Sequence, residues 1–218
     1  MGAGYDLSPL VGLRLRTPRL ELRLPTEDEL AELARVAQQG VHPREEMPFL
    51  IPWTDDLDSP SFVEDFVGYH LEARSGWTPE NWRLELGVWL QGSLIGSQGI
   101  EAKNFSHERT TASASWLAQT YQRHGYGTEM RAAILELAFS GLRAVAAGSG
   151  ALTGNVASAR VSEKLGYADA GERQHLRNGE PVRERRFVIR REQWENVDHP
   201  PVEIAGLEPC LPLFGADG

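Results

Sequence analysis

Cysteine is nearly absent: Cys210 is the only thiol among 218 residues. That excludes an internal disulfide and a cysteine metal cluster, so no metal is expected, and it leaves no catalytic thiol in the body of the chain. Long apolar runs are missing as well. No stretch approaches the ~20 residues of a membrane span, and no charged-then-apolar leader opens the chain, so the expectation is a cytoplasmic protein that does not enter a membrane. Positive charge is also in short supply, with a net charge of -9. Residues 1–80 hold 7 basic against 15 acidic side chains, and residues 81–218 hold 15 against 16. An acidic surface repels nucleic acid and suits cationic partners, while a near-neutral remainder does not oppose a polyphosphate ligand. Solubility alone also accounts for such a bias. At 41% hydrophobic, the chain can bury a sizeable core as one main domain.

What the chain does have is a glycine loop between a strand and a helix. Ser115-Trp116-Leu117-Ala118 reads as strand, and Gln122-Arg123-His124-Gly125-Tyr126-Gly127-Thr128 follows. Met130, Ala133, Ile134, Leu137 and Ala138 then recur at the spacing of a buried helical stripe. Glycines two apart let the main chain approach a bulky anion. The unpaired amides of the first helical turn, with the positive end of the helix dipole, attract phosphate. The pattern is short and also describes an ordinary tight turn. A dinucleotide-binding loop needs a third glycine where Met130 stands, and a P-loop needs a Gly-Lys-Ser/Thr ending that is missing.

The loop resembles the Gln/Arg-x-x-Gly-x-Gly/Ala motif of the GNAT superfamily of N-acetyltransferases, whose main-chain amides hold the pyrophosphate of coenzyme A. A second segment, Asn155-Val156-Ala157-Ser158-Ala159-Arg160-Val161-Ser162-Glu163-Lys164-Leu165-Gly166-Tyr167, is similar to the Asn-x-x-Ser-x-x-x-x-x-Lys-x-Gly-aromatic signature of the ribosomal-protein N-acetyltransferase (RimJ/RimL-like) branch. The resemblance implies an acyl-CoA co-substrate. Its binding positions would be Trp116, Leu117, Ala118, Gln122, Arg123, His124, Gly125, Tyr126, Gly127, Thr128, Asn155, Ser158 and Lys164, with Asn155 and Ser158 beside the pantetheine arm. Taken alone, Asn155 also fits a helix cap, and Lys164-Leu165-Gly166 a helix C-terminus with a left-handed glycine.

The remaining pattern reads as follows. Residues 13–24 alternate as one strand, with Leu13, Leu15, Leu20, Leu22 and Leu24 on one face. Thr26 with Glu27, Asp28 and Glu29 starts a helix that Gly40 ends. Residues 41–60 form a Pro-rich loop too apolar for disorder, which suits the lining of a pocket. A second helix runs from Ser61 to Arg74, and two strands, 82–90 and 94–102, form a hairpin around Gln91-Gly92. Strands at 110–118 and 143–153, a short helix at 156–165 and a hairpin turning at Asn178-Gly179 complete the order. This order resembles the acetyltransferase fold over residues 13–195. The implied fold class is α/β (α+β), a mixed seven-stranded twisted sheet with helices on both faces. In it a central parallel pair, here 110–118 and 143–153, splays around the pantetheine arm. Gly148 and Gly150 suit a close ligand approach.

The implied reaction is direct acyl transfer from coenzyme A to an amine. It needs a neutral amine, a polarised thioester carbonyl and a proton for the departing thiolate. Backbone amides near Leu117 can hold the oxyanion. Where many relatives carry a tyrosine acid this chain has Ser162, and Ser158 is the substitute. No carboxylate stands in Thr111-Ala112-Ser113-Ala114-Ser115, so Glu101 and Glu85 on the preceding strands are the candidate bases, against a reading of both as solvated. Ser158, Glu101 and Asn155 form the expected catalytic set. The donor is acetyl-CoA or succinyl-CoA, the latter if Arg83, His107 or Arg109 receives a carboxylate.

Residues 1–195 are expected to form the acyltransferase domain and 196–218 a Pro-rich tail that packs on it or on a neighbouring subunit, favouring a homo-oligomer. The acceptor is a peptide N-terminus or another amine. A small-molecule amine acetyltransferase, with Trp53, Trp77 and Trp82 around its pocket, and a non-catalytic acyl-CoA-binding module are the alternatives.

Overall fold

The computed structural model describes residues 4–216. Residues expected as one strand form two: β1 (Arg14–Arg16) and β2 (Leu20–Arg23) run antiparallel, with Leu15 opposite Leu22. The reason lies at Thr17-Pro18-Arg19. The Thr17 amide donates to Leu20 O at 2.9 Å and the Leu20 amide to Thr17 Oγ1 at 2.9 Å, which closes a turn. Leu13, Leu15, Leu20 and Leu22 still all reach the core.

Helix α1 (Glu27–Gln38) starts at a capping box, Thr26 and Glu29 each bonding the other's amide, and buries Leu30, Leu33, Ala34 and Ala37. Helix α2 (Phe62–Ser75) packs beside it. Strands β3 (Asn81–Leu90) and β4 (Ser93–Lys103) form the central hairpin. A single turn, α3 (Phe105–Glu108), leads to β5 (Thr110–Leu117). Then come α4 (Tyr126–Glu136), widened into a π turn over Leu137–Gly141, β6 (Ala146–Leu152) and α5 (Val156–Lys164). The hairpin β7 (Ala168–Arg177) and β8 (Glu180–Arg190) turns at Asn178-Gly179, both at positive φ. A short α6 (Arg191–Trp194) precedes β9 (Glu203–Ala205).

One sheet runs in the order β7-β8-β6-β5-β4-β3-β2-β1-β9. Among the described residues it has nine strands rather than the expected seven, because the first strand is divided and the tail adds β9 beside β1. Leu84, Leu86, Val88 and Ile100 share a core with Met130 and Ile134 of α4. On the opposite face Trp89 and Leu94 meet Leu33 of α1.

Among the described residues the only parallel pairing is β5 with β6, and it is short. It runs from Thr110 opposite Ala146 to Ser113 opposite Ser149 and stops. Beyond that rung β5 stays with β4 as far as Gly96 opposite Leu117, while β6 stays with β8 as far as Leu152 opposite Glu184. The two strands therefore part in mid-sheet. The gap between them is the feature the rest of the molecule surrounds.

The tail is seated on its own core. Trp77 Nε1 donates to Leu213 O at 2.7 Å and Trp82 Nε1 to Phe214 O at 3.2 Å. Phe214 meets the Trp82 ring edge-on at 4.8 Å. Cys210 is buried beneath it and donates to Gly206 O at 3.3 Å, and burial pushes its thiol up to about 11. With these side chains covered, the apolar tail no longer calls for a neighbouring subunit.

Candidate active site

The loop before α4 presents unspent amides. Gly125, at φ +85°, is the N-cap of α4, and Arg123 is also left-handed at φ +62°. Thr128 and Glu129 donate back to Gly125 O at 3.1 Å each. Among the described residues, no amide from Arg123 to Gly127 donates to the main chain. These five N–H groups sit at the positive end of an 11-residue helix, an arrangement suited to a pyrophosphate. His124 stacks on Tyr126 at 5.9 Å, both beside the open amides.

What holds the loop was not legible in its own sequence. Arg19, in the turn between β1 and β2, donates from Nε to Glu129 at 2.6 Å and from Nη1 to His124 O at 3.1 Å, and lies 4.5 Å over the Tyr126 ring. Glu129 is 4% exposed and also accepts from Thr17 Oγ1 at 2.5 Å. Gln122, read as a ligand contact, donates to Val41 O at 2.6 Å and Leu117 O at 2.9 Å. It fastens the loop to β5 and to the segment after α1.

Behind the loop lies the gap. The Ala118 amide donates to Ile95 O of β4 at 2.9 Å. Successive amides of a strand point to opposite sides, so those of Leu117 and Ser115 turn toward β6, where the ladder has ended. Thr128 is half-buried one turn into α4, and Lys164 is exposed at the end of α5. Ser158, half-buried in the first turn of α5, has a hydroxyl with no hydrogen-bond partner among the described residues. Asn155 is committed elsewhere. Its carboxamide oxygen accepts from the Ser158 amide at 3.1 Å, and its Nδ2 donates to Pro48 O at 3.4 Å. The cap reading describes it, and the carboxamide also ties α5 to the 41–60 loop.

On the other face of the sheet lies a second polar group. Glu101 is held by Arg83, which donates from Nε at 2.8 Å and sits at 2.6 Å through Nη2. The expected base thus has its Oε2 engaged by a guanidinium. Glu85 is different. It stands opposite Gly99, which stands opposite Ala114, the first residue of β5 past the last β5-β6 rung. A methyl group on Gly99 would come within 2.5 Å of Glu85 Oε2, so the glycine lets this carboxylate lie flat over the sheet toward β5. Burial pushes the Glu85 carboxyl up to about 7; Arg83 opposes the shift and Glu101 adds to it. Ser97 Oγ is its neutral neighbour at 3.5 Å. Nearby His70, packed on Phe66 at 4.6 Å, is held down at about 4 by burial and by Arg74 and Arg83, and stays neutral.

Three other expectations change. The Trp116 side chain lies on this second face, 5.6 Å from Trp53 and away from the phosphate loop. Trp53, Trp77 and Trp82 do not share a pocket: Trp53 joins Phe49, Phe62, Phe66 and Trp116, whereas Trp77 and Trp82 lie under the tail. What approaches Gly150 is the chain's own Glu184, whose carboxylate fills the space a Cβ would take and pairs with His175 at 2.9 Å.

Comparison with known proteins bears on the same region. The family model described as an acetyltransferase (GNAT) domain matches residues 19–168. Among solved structures, a putative ribosomal-protein-serine acetyltransferase from Vibrio cholerae is 24% identical, with 81% of this chain and 97% of that one covered at a TM-score of 0.62. RimJ of Mycobacterium smegmatis, in complex with CoA-disulfide, is 19% identical, with 84% and 90% covered at 0.63. A chimera of the spermidine N-acetyltransferase SpeG from Vibrio cholerae with hSSAT is 18% identical, with 82% and 99% covered at 0.62. The splayed parallel pair and the open-amide loop thus lie inside the matched segment, and the chain belongs to the GNAT acetyltransferase family, as an acyl-CoA-dependent N-acyltransferase.

Proposed function

We propose that this chain moves an acetyl group from acetyl-CoA to a cationic primary amine, in the first instance a peptide N-terminus, with Glu85 as the base. The supporting observation is the two-sidedness of the gap. Open amides at Arg123–Gly127 flank it on the α4 side, and a carboxylate titrating at about 7 lies level with it on the α1/α2 side.

In this reading the pyrophosphate rests on those amides, with Arg123, His124 and Tyr126 beside it. The pantetheine arm enters the gap past Ser158 and Lys164, and the thioester carbonyl takes the Leu117 amide. The acceptor comes from the opposite face. The ammonium gives its first proton to solvent, the neutral amine attacks, Glu85 takes the second proton from the nitrogen as the carbon–nitrogen bond forms, and the tetrahedral oxyanion is held by the amide until the carbon–sulfur bond breaks. A base titrating near neutrality has the driving force for this at physiological pH.

A cationic acceptor agrees with the segment covering that face. Glu45, Glu46, Asp55, Asp56, Asp58, Glu64 and Asp65 lie there against Arg44, and an acidic approach concentrates ammonium ions. Two relatives named above, for a ribosomal-protein serine and for spermidine, suit the same preference. A small polyamine is therefore the second reading, favoured by the pinned loop that narrows the acceptor side. Acetyl rather than succinyl fits because Arg83 is already engaged by Glu101, His107 bonds Ser106 and Arg109 lies over Phe105.

The test is thiol release on mixing acetyl-CoA with peptides of varied N-terminus and with polyamines, beside calorimetric titration of CoA. Release with at least one amine and saturable CoA binding are expected. No heat with CoA, or no thiol with any amine, would overturn the reading.

A further inference from the structure

The α4 side of the gap holds a buried cation with no anion. Arg131 is 3% exposed, and among the described residues no carboxylate lies within ion-pair distance of it. Its Nη1 donates to Ser149 Oγ at 2.7 Å and its Nη2 to Ser115 Oγ at 3.2 Å, while Nε has no hydrogen-bond partner. These two serines mark the place where the sheet opens: Ser149 is the β6 member of the last rung, and Ser115 lies two residues past it on β5. Ser162, fully buried on α5, brings its Oγ to 3.4 Å from Ser149 Oγ. The Tyr167 hydroxyl is buried beside Arg131 and Ser113.

Hydroxyl partners do not neutralise a guanidinium. A buried charge without a counter-ion is destabilising, and an apolar side chain of the same length would bridge the strands without that cost. A strut therefore does not need to be charged. The position of the charge, on the side of the gap where the pantetheine arm would enter, is what calls for explanation. Acyl transfer creates one anion there. When the tetrahedral intermediate collapses, the carbon–sulfur bond breaks, its electron pair stays on sulfur, the carbonyl re-forms as an amide, and the proton from the amine resides on the base. In this reading the thiolate is left on the side of the gap where Arg131 and Ser149 are buried.

We infer that Arg131, acting through Ser149, supplies the positive charge that stabilises the departing CoA thiolate. A guanidinium only donates hydrogen bonds, so Ser149 Oγ accepts from Arg131 and keeps its own proton to offer. Charge from the guanidinium strengthens that offer. Ser149 is the group that would touch sulfur, and Arg131 is a positioning residue behind it. This answers the absence of a tyrosine at position 162. The inference rests on the reading that the pantetheine arm lies in the gap.

The experiment compares CoA with desulfo-CoA, which lacks the sulfur, as inhibitors of thiol release by the full chain at about pH 6 and about pH 9, either side of an ordinary thiol's titration near ~8.5. The expected result for the native chain is that CoA binds about tenfold tighter than desulfo-CoA at the higher pH. Arg131→Met should abolish that preference, leave desulfo-CoA binding within about threefold and lower kcat by about a hundredfold. Arg131→Lys should restore part of the preference. Ser149→Ala keeps the guanidinium and should weaken the preference on its own, so a failure of Arg131→Met to fold leaves the inference testable. Equal binding of the two ligands to the native chain at both pH values overturns it and leaves the CoA site standing. A drop in thermal midpoint and in desulfo-CoA affinity with the preference intact assigns Arg131 a purely structural role and also overturns it. No binding of either ligand removes both this inference and the proposed function.

Discussion

At the scale of single residues, the same kind of group behaves differently on neighbouring strands. Glu85 and Glu101 are two carboxylates beside one arginine, yet Arg83 closes on Glu101 and leaves Glu85 to be governed by burial. In the unfolded chain a glutamate titrates near 4.5, and here near 7. The folded state thus favours the neutral form. The resulting stability is complete below about pH 4.5 and lost as pH rises through about 7, a difference of about 3 kcal/mol. Glu85→Gln should therefore be more stable than the native chain at about pH 8, by roughly 2 kcal/mol, while losing about a hundredfold or more in kcat and the rise of rate through about pH 7. A chemical melt and a pH–rate profile check both, and an unchanged profile would remove Glu85 from the mechanism. The loop glycines separate in the same way. Gly125 holds φ +85°, and a Cβ there lies 3.3 Å from Arg19 Nη2, whereas at Gly127 the nearest atom is 3.7 Å away. Gly125→Ala should cost about 1 kcal/mol of stability and weaken CoA binding about tenfold, with Gly127→Ala within about threefold. Calorimetry decides.

At the scale of elements, the parts of the fold that local chemistry dictates were legible in the sequence. The Gln91-Gly92 and Asn178-Gly179 turns, the Thr26 cap and the strand-loop-helix order around Gly125 each need only neighbours in the chain. What was not legible depends on partners far away. Arg19 and Glu129 meet across 110 positions. The three residues of β9 are a strand only because β1 offers an edge. Arg131, between two apolar residues of α4, was not singled out in the sequence and is buried because the helix is covered on nearly every side. The 41–60 loop was recognisable as more than a linker, but its fastening was not. Arg177 at the tip of β7 donates to Met47 O at 2.9 Å and Phe49 O at 3.0 Å, and Asn155 holds Pro48 between them. Arg177→Ala should loosen this loop, raising the acceptor KM several-fold and hastening proteolysis within residues 41–60, with CoA affinity unchanged. An equal rise in both constants would mean that the loop serves the donor instead.

At the scale of the whole molecule, the two ends of the chain close the sheet together. Strand β9 extends the β1 edge, and residues 208–214 cap Trp77 and Trp82, which belong to the α2-β3 connection and to β3. The tail is thus part of the core. Phe214→Ala empties a fully buried ring site and should cost about 3–5 kcal/mol, lowering the thermal midpoint by about 10 °C. Calorimetric scanning tests this, and a midpoint within about 2 °C of the native value would show the tail to be an accessory.

The lone thiol of this chain turns that closure into something countable. Alkylating and disulfide reagents attack only the ionised, accessible form of a cysteine, and Cys210 is sealed beneath the segment it belongs to. Its labelling can proceed only during moments when residues 208–214 lift, so the half-life of modification becomes a clock for fraying at the C-terminal edge. Running that clock with and without a CoA ester would show whether occupancy of the gap is felt at the far border of the sheet.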